Sequence, residues 1–141
     1  MSGRDQRGLS MSVEAVVLIP ALLLVVGLLL VLARVAIADQ HVGVAAGAGA
    51  RAASLERTQA AGERAARAAV VRALGDRGVA CRHTSVTLDT SGLTRALGER
   101  ARVSVEVGCS VDLSDVSLPF MPGTVAVSAT RTSPVDPLRG G

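Results

Sequence analysis

At 141 residues and a net charge of +3, the chain has room for one anchored module but not for two ordinary domains. All 15 basic side chains are arginines, dispersed among 12 acids, as in Glu63-Arg64, Asp76-Arg77 and Glu99-Arg100. Nucleic-acid binding needs a one-sign cluster, usually with stacking aromatics; with mixed charge and one aromatic, Phe120, the sequence argues against it and for a solvated mixed-charge face.

Residues 1–8 read as a polar, irregular leader, with Arg4 and Arg7 set against Asp5. Residues 15–33 then form a run of 19 without a charge. As a helix, such a run spans roughly 28 Å at ~1.5 Å per residue, close to the ~30 Å hydrocarbon core of a bilayer. A transmembrane helix is therefore predicted over residues 9–34. Glu14 stands at its mouth, where a carboxylate favours the positive end of the helix dipole. Pro20 removes a backbone hydrogen bond inside the run and predicts a kink. Arg34 closes the run, with a stem long enough to reach the interface.

Residues 35–76 keep a helical, Ala/Arg-rich composition and predict a long helix continuing outside the membrane, with a break near Gly47-Ala48-Gly49. Gly43 and Gly47 are four apart, as are Ala45 and Gly49, and small residues at this spacing let helices approach closely. Gly43, Gly47 and Gly49 are thus candidate helix-packing positions. The plainer alternative is that alanine is simply common here, each glycine loosening the helix by up to ~1 kcal/mol. Gly75-Asp76-Arg77-Gly78 reads as a helix stop.

Beyond Gly78 the hydrophobic period changes to two. Residues 84–89, 101–111 and 124–130 alternate, with Val103, Val105, Val107, Cys109 and Val111 on one face. This pattern predicts a three-stranded antiparallel sheet with one wet face, in a module spanning residues 79–131. The long connection 90–100 predicts a helical turn around Leu93, Ala96 and Leu97, and Pro119-Phe120-Met121-Pro122-Gly123 a turn with an apolar tip. Residues 132–141 read as an extended tail. The fold class expected is α+β.

Two cysteines, Cys81 and Cys109, lie beyond the membrane segment and predict one disulfide, the alternative being two buried thiols. Placing Cys81 opposite Cys109 makes paired residue numbers sum to 190. Putting Val86 and Leu88 on the valine face requires an odd sum, 189 or 191. A bulge near Arg82-His83 would reconcile the two.

No catalytic constellation, phosphate loop or nucleophile elbow is present, so no enzymatic activity and no cofactor is expected. His83 with Cys81 and Cys109 offers three donors without a second close pair, which reads as a surface histidine rather than a zinc site. His41 is likewise a lone interfacial histidine.

The stretch Gly8-Leu9-Ser10-Met11-Ser12-Val13-Glu14-Ala15, continued by Pro20-Ala21-Leu22-Leu23-Leu24, resembles the TadE-like family of pilus-assembly pseudopilins, and the cysteine-bearing strands are similar to those of its actinobacterial members. The resemblance covers about residues 7–53, including Ala50-Arg51-Ala52-Ala53. It implies a tight-adherence pilus system in which a prepilin peptidase cuts between Gly8 and Leu9. Glu14 and Pro20 would then be assembly contacts with other pilin subunits and pilus-assembly membrane proteins, beside membrane lipid. Glu14 is the sixth residue after Gly8, one more than the usual fifth position, so a tolerated site, a shifted site and an uncut chain all stay open. The resemblance and the cysteines place the C-terminal part outside the cell membrane. Two rivals stand beside it. One is a cleaved signal peptide, for which Ala36-Ile37-Ala38 fits the A-x-A rule. The other is an anchored or secreted envelope binding module unrelated to pili.

Overall fold

The structure, a computed structural model, describes residues 5–96, 98–114 and 123–137. Its elements are helix α1 (Asp5–Ser54), helix α2 (Gln59–Asp76), strand β1 (Cys81–Asp89), a 3-10 turn (Ser91–Thr94), strand β2 (Ala101–Asp112) and strand β3 (Thr124–Val135). The fold is α+β, a long N-terminal helix followed by a three-stranded antiparallel sheet in a pilin-like arrangement.

α1 has 50 residues, which at ~1.5 Å each gives roughly 75 Å, more than twice a bilayer core. It already includes residues 5–8, read from sequence as an irregular leader, and its α-helical assignment continues through Pro20. Its two halves differ in burial. From Val16 to Leu32 most large apolar side chains are open, from 71% at Val16 to 44% at Val26. From Ala38 onward Val42, Ala45, Ala46, Ala50 and Ala53 are buried at helical spacing. The first half is the one membrane span among the described residues, and the second is the spine of the extracellular module.

The expected break at Gly47-Ala48-Gly49 does not occur; α1 runs on to Ser54 and the chain turns at residues 55–58. The Ser54 hydroxyl donates to the Arg51 carbonyl at 2.9 Å, and the Glu56 N–H donates to the Ala53 carbonyl at 3.1 Å. Thr58 then caps α2, its hydroxyl accepting the Ala61 N–H at 3.2 Å. α2 folds back antiparallel on α1, so the region expected as one helix over 35–76 is a hairpin. Its glycines permit the close crossing. A Cβ on Gly49 would lie 2.8 Å from Val70 Cγ2 and 3.3 Å from the Ala66 carbonyl oxygen. One on Gly62 would lie 2.7 Å from Leu93 Cδ1. α2 ends where the sequence predicts, with the Gly78 N–H bonded to the Gly75 carbonyl and the Val79 N–H to the Leu74 carbonyl, a Schellman closure with Gly78 at φ +62°.

The sheet order is β1-β2-β3. Val103, Val105 and Val107 are fully buried under α1, and Ala66, Val70 and Leu74 of α2 join the same core. The opposite face carries Ser85, Thr87, Ser104, Glu106, Ser128 and Thr130. β3 is longer than expected: residues 132–135, read as tail, pair with β2, and Val135 is buried opposite Ala101. Pro134 is accommodated because β3 is an edge strand. The connection after β1 holds its turn at Ser91–Thr94, slightly before the expected one. Leu97 and most of the Pro119–Gly123 stretch, Phe120 included, lie outside the described residues.

Cys81 and Cys109 are disulfide-bonded, with their Cα atoms 5.3 Å apart. The register differs from that expected. Cys81 faces Val111, and Thr84 faces Cys109. An irregularity between Cys81 and His83 then sets Val86 against Val107 and Leu88 against Val105. Paired numbers there sum to 193, odd but two beyond the expected 191. The bridge is therefore diagonal rather than directly across the ladder, and the extra residue at Arg82 turns Val86 and Leu88 inward.

Candidate functional site

The residues singled out from the sequence fall into two groups, one on the span and one on the module. Gly8, Leu9 and Glu14 lie on the first turns of α1, with side chains outside the described part of the molecule. Pro20 follows Glu14 by six residues, a rise of about 9 Å, among open side chains from Val16 to Leu24. Such a surface has two energetically acceptable partners, lipid tails or other apolar helices, since water would hydrate it at a cost.

On the module, Gly49 is occupied by its own chain, against Val70 and Val105. Gly43 is buried beneath the Arg131 guanidinium, 2.9 Å from where its Cβ would stand. Gly47 is half-buried, and its nearest neighbour would be Arg131 Cγ at 3.9 Å. Gly43 and Gly47 line an open groove of ≈ 1090 Å³ between α1 and β3, with Arg51, Leu55, Arg131 and Pro134. The spacing of small residues thus serves packing within the chain first, and α2 and β3 are the elements it admits.

The base of the module lies against one side of α1 just above the span. Arg34, Ile37 and His41 of α1 meet Arg77 and Val79 of the α2–β1 turn and Asp112 at the end of β2, around a cleft of ≈ 310 Å³. Sequence reading gave no hint that residues 77–80 and 111–112 return to the level of Arg34, because that depends on the helix hairpin. Asp112 accepts the Ser114 N–H at 2.9 Å and the Arg82 Nε–H at 2.7 Å. The Ser114 hydroxyl and N–H, then Arg82, hold its carboxyl down to about 2. At the far end of the sheet Asp89 accepts the Ser91 hydroxyl at 2.7 Å and N–H at 3.1 Å, which lowers its pKa. Both carboxylates fasten turns.

Since Cys81 and Cys109 are joined, neither is free to ligate a metal, and His83 sits exposed on the outer face. Among the described residues no group of three His, Cys, Asp or Glu is placed to hold an ion. The features define a class: a single-pass membrane protein whose anchor helix is also the spine of a small, disulfide-closed α+β module. The chain matches no family model, no curated protein and no solved structure.

Proposed function

We propose that this chain is a non-enzymatic contact protein of the cell envelope, holding a small extracellular module against the membrane for other envelope components to bind. The observation that carries the reading is the continuity of α1: the open apolar half and the buried half belong to one helix without a described break. Anchor and module are then mechanically one body, which suits a part that positions others. The signal-peptide rival fits less well, because a cut after Ala38 would remove Val35 and Ala38, both packed in the module core.

The narrower form of this proposal is a TadE-like pseudopilin or accessory protein of tight-adherence pilus assembly. It is supported by the Gly8 to Leu24 pattern together with the pilin-like order of long helix and sheet. In that reading the open face from Val16 to Leu32 packs among other subunits' helices. Glu14, costly at a bilayer edge unless paired, meets the N-terminal amine of a neighbour freed by prepilin peptidase at Gly8-Leu9. Membrane lipid and pilus-assembly proteins are the partners, and nucleic acid is not. Deleting the chain should abolish piliation, and the protein should co-purify with pilus-assembly membrane components. Intact piliation without co-purification would remove the pilus reading and leave the broader one.

A further inference from the structure

The two edges of the sheet are finished differently. Pro134 has no N–H, so it fits β3 only with its nitrogen turned off the ladder. Successive residues of a strand turn their backbone groups to opposite sides, so the even-numbered residues of β3 face outward and the odd-numbered ones bond β2. The even-numbered residues of β2 are then left for β1, where they meet His83, Ser85, Thr87 and Asp89. Thr84, Val86 and Leu88 therefore turn N–H and C=O off the sheet, and in agreement the Arg67 Nη1–H donates to the Val86 carbonyl at 3.4 Å. On β3 the outward edge is closed at two points. The Arg131 Nη1–H donates to the Thr130 carbonyl at 2.9 Å, and Pro134 offers no donor. β1 carries no proline, and among the described residues Arg67 is the one side chain that bonds its outer edge. Its side chains are short of cover as well. Val105 and Val107 are fully buried, while Leu88 and Val86 opposite them are half-buried, and Val71, one turn from Arg67 on α2, is 66% exposed.

We propose that the free edge of β1 docks an extended segment of a different polypeptide by strand addition. The segment carries apolar side chains at alternate positions, which cover Val86, Leu88 and Val71. This names the partner's chemistry for the envelope contact protein proposed above, and rests on that reading. The membrane decides against a second copy as occupant. β1 runs away from the span, from residues 79–80 beside Ile37 to the turn whose Leu93 meets Gly62 next to Ala53. Two β1 edges related by a two-fold axis pair antiparallel, which would point the two spans in opposite directions. The parallel alternative, β1 on a second copy's β3, meets the edge closed by Arg131 and Pro134.

The test uses the full chain in detergent micelles, read by amide hydrogen exchange. The probe is a synthetic peptide of the β2 sequence, residues 101–112 with Cys109→Ser, whose alternation already matches β1. A shuffled peptide of the same composition without alternation is the control. At about ten times its Kd the peptide leaves about one edge in ten open, so exchange of the Thr84, Val86 and Leu88 amides should slow by about tenfold. Thr84→Pro removes an outward N–H that the β2 ladder does not use, so it should abolish the slowing and keep the unfolding midpoint. Thr84→Lys, which sets a charge on the edge, should also abolish it and serves as a second variant should the proline disturb the strand. Unchanged exchange at millimolar peptide would overturn the proposal, as would equal slowing by the shuffled peptide or over residues 128–132 of β3. Slowing on raising the protein concentration alone would overturn it in favour of a second copy. Each of these outcomes leaves co-purification from the envelope unaffected, and that measurement decides the broader reading.

Discussion

Gly49 and Gly47 are two residues apart on one helix and should respond oppositely to the same change. At Gly49 an added methyl meets Val70 Cγ2 at 2.8 Å and the Ala66 carbonyl oxygen at 3.3 Å, so Gly49→Ala should cost about 1–3 kcal/mol by overpacking. At Gly47 the nearest atom is 3.9 Å away, so Gly47→Ala should be neutral or stabilising by up to about 1 kcal/mol through helix propensity. Thermal unfolding of the two variants in detergent checks the pair, and equal effects would refute the assigned packing. Gly92 is still tighter, its Cβ position overlapping the Arg102 carbonyl, and Gly92→Ala should be the most damaging of the three. Asp112 makes a pH-dependent contribution. Its carboxyl titrates at about 2 when folded against an ordinary 3.8, so the unfolded chain binds the proton more readily. The stability this confers is whole above about pH 4 and is lost as pH falls toward 2. Asp112→Asn should therefore flatten that part of the acid limb in an unfolding series across pH, and an unaltered limb would count against the Ser114 and Arg82 contacts.

The elements were unevenly legible in the sequence. The span, the stop at Gly78 and the valine face of β2 follow from charge-free length, turn chemistry and period, and these are local signals. The turn at residues 55–58 was not legible, because Leu55-Glu56-Arg57-Thr58 contains neither glycine nor proline and its one signal is a threonine cap. Gly47-Ala48-Gly49 looked like a break, yet tertiary packing overrides weak propensity there. α2 and the sheet need backbone room, and small residues in an intact helix provide it. The length of β3 was hidden by Pro134, which excludes a central strand but not an edge. The candidate site was half legible: Arg34 could be named, while Arg77 and Asp112 join it only through the hairpin. The disulfide should contribute about 2–4 kcal/mol by restricting the unfolded chain across its separation of 28 residues. Urea unfolding with and without reductant checks this. An unchanged midpoint would show that α1 on the valine face suffices without it.

At the scale of the whole molecule, a small core of alanine and valine is stabilised by the helix that also crosses the membrane. Val42, Ala45, Ala46, Ala50 and Ala53 of α1 cannot be removed without exposing Val103, Val105 and Val107. The module thus depends on the second half of α1 for folding, and the sheet on its own should not fold. A cut after Ala38 would keep those residues, removing only Val35 and Ala38 from the packing, so the start of the mature chain decides whether the anchor itself is retained. N-terminal sequencing of the exported protein tests the central claim most directly. The account predicts a membrane-bound chain starting ahead of residue 15, at Leu9 if prepilin peptidase acts or at Met1 if the leader stays. A stable, folded protein beginning at Asp39 would contradict it.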